Sequence, residues 1–171
     1  MDSVLDRLTT MVDSAFAWTA TLPERPTNRV VGLGMAAPTL AVLAIARYLT
    51  PSPDGFGTHM QLGLGGCAML TLTGWPCPMC GMTTTFSLMA HLRFMDALRN
   101  QPFGVVLFSL TVIGAVVGVY DAITAKGLFR SVWRWVERRE QKFAMGLLVG
   151  MILGWVYKSV LLHPGTFGLG A

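Results

Sequence analysis

Three stretches of the chain run apolar on every side, without the polar stripe that a helix on a water-soluble protein shows. They are residues 30–49 (VVGLGMAAPTLAVLAIARYL), 103–123 and 143–162. Each supplies the roughly 20 residues that a helix needs to cross about 30 Å of hydrocarbon. Charged positions stay near the ends: Arg47 in the first, Asp121 in the second and Lys158 in the third. There a side chain reaches the headgroups, well below the cost of about 2.5–3.5 kcal/mol at a helix centre. No stretch alternates polar and apolar residues as a half-buried strand would. The pattern predicts an all-α, polytopic membrane protein with three transmembrane helices.

The segments between the spans differ from one another. Residues 1–29 carry Asp2, Asp6, Asp13 and Glu24 and lack an apolar core, so they do not read as a cleavable signal peptide. Val4, Leu8, Met11 and Ala15 recur at helical spacing. An amphipathic helix lying on the membrane surface is expected, ended by Pro23 and Pro26. Residues 30–171 then form a single membrane domain. Within it, residues 50–102 are an insertion between the first and second spans. Residues 60–75 are apolar but short and interrupted by Gly63, Gly65 and Gly66. That suits a re-entrant or interfacial segment, with a fourth span as the alternative.

Charge adds an orientation. Residues 124–142 hold Lys126, Arg130, Arg134, Arg138, Arg139 and Lys142 against Glu137 and Glu140, and short basic loops stay on the cytoplasmic side. Trp133 and Trp135 among these arginines suggest a helix at headgroup depth. With three spans, the N-terminus is then cytoplasmic, and residues 50–102 and the C-terminus face outward. Across the 171 residues, 53% are apolar and 13% charged, and the net charge is +4. Soluble domains average about 25% charged residues, so the lipid bilayer is the expected partner of much of the surface. No zinc-finger spacing or aromatic RNA-binding motif is present, so nucleic acid is not an expected partner.

Candidate chemistry gathers in the insertion. Residues 73–86 read TGWPCPMCGMTTTF, with Cys77 and Cys80 at CxxC spacing. Helical periodicity from Gly81 to Arg99 through Leu88, Leu92, Met95 and Leu98, with Pro78 favoured at a first helical position, predicts a helix capped by Cys77. A thiol there would feel the positive end of the helix dipole, which stabilises a thiolate. Arg93, Asp96 and Arg99 fall on one face of the same helix as an ion-pairing set. Thr83, Thr84 and Thr85 are expected to bond free backbone groups of its first turn.

From Gly57 to Gly104 the chain resembles a family of small, uncharacterised bacterial integral membrane proteins built around a CPxCGxT motif, a domain-of-unknown-function family. GTHMQLGLGGC precedes the motif and AHLRFMDALRNQPFG follows it, and Cys67, Cys77, Cys80, His59 and His91 match positions of the pattern. Gly65 and Gly66 replace prolines usual before the first cysteine, and Thr84 stands where many members have arginine. The resemblance implies a multi-pass protein of the bacterial inner membrane with a candidate site, and no reaction.

Three readings of the motif stay open. Cys77 and Cys80 could form a strained, labile disulfide or act as buried structural thiols. Cys67, Cys77 and Cys80 with His59 or His91 would supply a Cys3His set for zinc. The CPMC spacing is also that of a dithiol redox centre, without the βαβ context usual for one. Gly114 and Gly118 in the second span, and Gly146, Gly150 and Gly154 in the third, are spaced for close helix approach. The two helices are expected to pair as a hairpin, with another membrane subunit or a second copy as a further partner. The leading functional expectation is a non-enzymatic accessory protein or complex subunit whose cysteine-capped helix organises the outer face. The alternative is a zinc-binding or thiol-redox protein.

Overall fold

A computed structural model describes residues 24–163. The surface helix expected before the first span lies outside the described residues for nearly all its length. Among the described residues every regular element is helical. Three long helices, α1 (Glu24–Tyr48), α5 (Pro102–Thr124) and α7 (Glu140–Leu162), are each long and apolar enough to cross a membrane. Pro26, expected to stop a helix, instead sits in the first turn of α1, where a missing amide leaves no bond unmade.

The tightest packing joins α1 to α5. A Cβ placed on Gly32 would lie 2.5 Å from the Ala122 nitrogen and 2.8 Å from the Gly118 carbonyl oxygen, and one on Gly118 would lie 2.8 Å from the Ala36 nitrogen. The two backbones therefore touch, which side chains would prevent. The tightest approach of the second span is therefore to the first, where the glycine spacing led to the third as its expected partner. Gly114 and Gly118 face Met35 and Ala36 of α1, whereas Gly150 and Gly154 of α7 receive Phe103 from the first turn of α5, with Gln101 beside Gly154, and Gly146 faces open space. The partner of Gly118 is the Gly32–Ala36 pair, small residues four apart on the first span.

Pro38 lies inside α1 without ending it. The Thr39 hydroxyl lies 2.7 Å from the Met35 carbonyl and 3.0 Å from that of Ala36. Such hydroxyls help to satisfy backbone groups near a proline in an apolar setting.

The start of α1 and the end of α5 meet at one end of the molecule, where the Asn28 amide donates to the Ala125 carbonyl at 3.2 Å. Asp121, 1% exposed, accepts the amides of Leu128 at 2.8 Å and Phe129 at 2.6 Å. It thereby caps α6 (Leu128–Glu137), and its charge suits the positive end of that helix. Trp133 and Trp135 are half exposed, and the Arg139 guanidinium stacks 4.9 Å from the Trp135 ring.

At the opposite end, residues 50–101 fold into short pieces: a 3-10 turn (Thr58–Leu62), α2 (Ala68–Thr73), α3 (Met82–Ala90) and α4 (Phe94–Asn100). The six residues of α2 are far too few to cross a bilayer, so residues 60–75 do not make a fourth span. The single helix expected from Gly81 to Arg99 is two helices. Leu92 adopts a left-handed conformation, φ 61°, and Arg93 caps the new helix. The Arg93–Asp96 ion pair forms at 2.8 Å across that cap.

Candidate functional site

The cysteine turn precedes a helix and does not cap it. The Cys80 amide donates to the Cys77 carbonyl at 2.9 Å, closing a tight turn over residues 77–80. Gly81 then takes φ 85°, a left-handed conformation, and α3 starts at Met82. The expectation that Cys77 caps a helix beginning at Pro78 is therefore corrected. A left-handed residue at position 81 breaks the helical path, so the turn cannot run into α3. No side chain fits at Gly81 either, because a Cβ would lie 2.7 Å from the Gly55 carbonyl oxygen and 3.2 Å from the Asn100 amide.

Buried hydroxyls hold this junction. Thr58, Thr84, Thr85 and Ser87 are fully buried. The Thr58 and Thr84 hydroxyls lie 2.8 Å apart, and Thr58 accepts the Ser52 amide at 3.0 Å. Thr85 donates to the Gly81 carbonyl at 3.0 Å, and the Asn100 amide reaches both Gly81 and Thr85, at 3.1 and 2.9 Å. The threonine run thus does more than satisfy its own first turn, because Thr84 fastens α3 to the 3-10 turn. From the third span, the Trp155 indole donates to the Pro76 carbonyl at 2.7 Å.

These fastenings shape a cavity of about 250 Å³ whose wall includes Cys67, Cys77, Cys80, His59, Met60 and Thr83. All three cysteines carry free thiols. Cys67 is the N-cap residue of α2, and this short helix brings it back onto the motif. His59 joins the same wall, its Nε2 lying 3.2 Å from the Gly65 carbonyl. His91 does not join. Its Nδ1 lies 2.8 Å from the Ser87 carbonyl and its Nε2 2.9 Å from Arg47, at the far end of α3. Since an arginine only donates, Nε2 accepts from Arg47 and Nδ1–H donates to Ser87. Among the described residues no three His, Cys, Asp or Glu side chains are spaced to hold a metal ion.

The thiols are not equivalent. The Leu70 amide in the first turn of α2, together with the facing Cys77, lowers the Cys67 thiol below its usual value. Burial first, and then the nearby Cys67, raise Cys77. Burial, joined by repulsion from Cys77 and Cys67, pushes Cys80 up to about 11. The site therefore presents one thiol that ionises more easily than the two beside it. Cys67 and Cys77 each perturb the other's ionisation, and both line the same cavity wall.

The thiol site lies largely within a recognised sequence unit. No curated protein and no solved structure matches the chain. A family model described as a protein of unknown function (DUF2752) matches residues 67–115, a stretch that begins at Cys67, includes the whole cysteine turn and ends inside α5.

Proposed function

We propose that this small multi-pass membrane protein is a thiol protein whose Cys67, Cys77 and Cys80 exchange disulfides on the non-cytoplasmic side of a bacterial inner membrane. The carrying observation is the return of Cys67, from outside the CxxC, onto a shared cavity with Cys77 and Cys80. A purely structural turn would not need a third thiol there, and the unequal ionisation suits an attacking and a resolving pair. The sidedness is supported by the basic α6 at the end opposite the cavity.

The Cys67 thiolate attacks one sulfur of a substrate disulfide. A mixed disulfide forms and the substrate sulfur–sulfur bond breaks, expelling a substrate thiolate. Cys77 gives its proton to that thiolate and attacks the Cys67 sulfur. A Cys67–Cys77 disulfide forms, and the second substrate sulfur leaves and takes up a proton from solvent. The protein dithiol is oxidised by two electrons and the substrate disulfide is reduced by two. Cys80, buried and protonated, faces the same cavity as a reserve partner.

The test is trapping. In a Cys77→Ser variant that also carries Cys80→Ser, the mixed disulfide on Cys67 has lost both its resolving thiol and the reserve one, so incubation with a small aromatic disulfide should leave a stable adduct on Cys67. Rapid adduct formation at Cys77 or Cys80 in a Cys67→Ser variant, with Cys67 inert in the double variant, would contradict the assignment.

A second reading, a subunit of a larger membrane assembly, is favoured by one observation. Residues 140–149 of α7 are exposed all round, and Gly146, spaced for helix contact, meets nothing within 4 Å. The mass of the complex extracted from native membranes in mild detergent, compared with the 18.5 kDa chain, tests this. A single-chain mass would contradict it.

A further inference from the structure

A second cavity, of about 450 Å³, opens between α4 and the end of α7 and shares no lining residue with the thiol cavity. Its floor is Lys158, a cation that is only 4% exposed. The ammonium donates to the Asn100 side-chain oxygen at 2.6 Å and to the Gly55 carbonyl at 3.0 Å. Both partners are neutral, and an ammonium has three donors. A buried charge is normally paired, yet among the described residues the only ion pair is Arg93–Asp96. Cys80 does not supply the missing charge, because its thiol keeps its proton at neutral pH. The negative end of α7 favours a cation near its last turn, but that help is smaller than the cost of desolvating an ammonium.

The rest of the lining completes the picture. Arg99 is exposed, opens onto the same cavity and has no ion-pair partner among the described residues, while Arg93 is engaged by Asp96, and Asp54 is a carboxylate on the same lining. The other wall is leucine: Leu88, with Leu161 and Leu162 at the carboxyl end of a membrane-length helix. A cationic floor beside an apolar wall at a bilayer boundary matches a phosphate attached to acyl chains.

We propose that this crevice binds the phosphate of an anionic phospholipid, with Lys158 and Arg99 as its charge partners and an acyl chain against Leu161 and Leu162. The lipid site does not rest on the thiol proposal, since its test reads lipid-dependent stability and not disulfide exchange.

The full chain, purified in neutral detergent, should be titrated with phosphatidylglycerol, phosphatidylcholine or inorganic phosphate while its thermal unfolding midpoint is followed. Phosphatidylglycerol should raise the midpoint saturably, with phosphatidylcholine much weaker. Arg99→Gln changes an exposed side chain and should fold normally. It should raise the half-saturating lipid concentration about tenfold, the worth of one charge-assisted hydrogen bond. Lys158→Met should abolish the response. Equal stabilisation by inorganic phosphate would overturn the lipid as occupant. An unchanged phosphatidylglycerol response in Arg99→Gln would overturn the site, since lipid would then be acting elsewhere, for example along the arginines of α6.

Discussion

The Trp155 indole nitrogen donates a 2.7 Å hydrogen bond to the carbonyl of Pro76, the residue immediately before Cys77. A side chain on the third span thus sets the position of the cysteine turn, 79 residues away in sequence. Trp155→Phe keeps the ring and removes the donor. A part-buried neutral hydrogen bond is worth about 0.5–1.5 kcal/mol, so a modest fall in thermal midpoint is expected. Alkylation of Cys77 should also accelerate, because its turn would open more often. An unchanged Cys77 rate would mean that α7 does not hold the turn.

The α1–α5 contact has a sharper test. At Gly118 any side chain meets the Ala36 backbone at 2.8 Å, whereas at Gly146 it meets nothing. Gly118→Val should cost at least the 1–3 kcal/mol or so typical of overpacking. Gly146→Val should leave the midpoint of the isolated chain nearly unchanged. An unchanged midpoint in Gly118→Val would mean that α1 and α5 do not touch there.

Much of this architecture is legible in the sequence, and the reasons for the remainder are physical. Span length and the absence of central charge mark α1, α5 and α7 directly, since the bilayer imposes both. Glycine spacing reports that backbones approach, but Gly114 and Gly118 carry no information about which helix approaches them. The Gly32–Ala36 pair was the available signal. The break at Leu92 could not be read, because a left-handed leucine leaves none of the glycine or proline punctuation that marks turns. At the cysteine motif, Pro78 pointed to a helix start while Gly81, three residues later, was the actual boundary. Nothing in the sequence separates His59 from His91 as a site residue, yet tertiary packing brings His59 and Cys67 to the cavity and leaves His91 on Arg47.

Thr84 connects the cavity wall to its scaffold. Both it and Thr58 are fully buried, and their hydroxyls are 2.8 Å apart. Thr84→Val keeps the shape and removes that partner, with an expected cost of about 1–3 kcal/mol for a polar group stranded in the interior. Thr84→Ser should recover most of it. If the valine variant were as stable as the parent in thermal or chemical unfolding, the hydroxyl pair would not be fastening α3 to the 3-10 turn.

The thiols should separate by pH. With Cys67 lowered and Cys80 raised to about 11 from the usual 9.0, alkylation near pH 8 should modify Cys67 first and Cys80 last. A stability effect follows at higher pH. Between about 9 and 11 the unfolded chain has released the Cys80 proton while the folded chain retains it, so unfolding is favoured as pH rises. Stability should fall across that window, and Cys80→Ala should flatten the fall. Mass spectrometry of the alkylated peptides and pH-dependent unfolding read the two effects. Fastest alkylation at Cys80 would reverse the assigned order.

The pairing of Cys67 with Cys77 is the centre of the proposed chemistry, and peptide mapping after mild oxidation of the full-length protein in detergent tests it most directly. A Cys67–Cys77 disulfide with Cys80 left as a free thiol is the expected product. A Cys77–Cys80 disulfide with Cys67 free would contradict it and return the motif to a local turn.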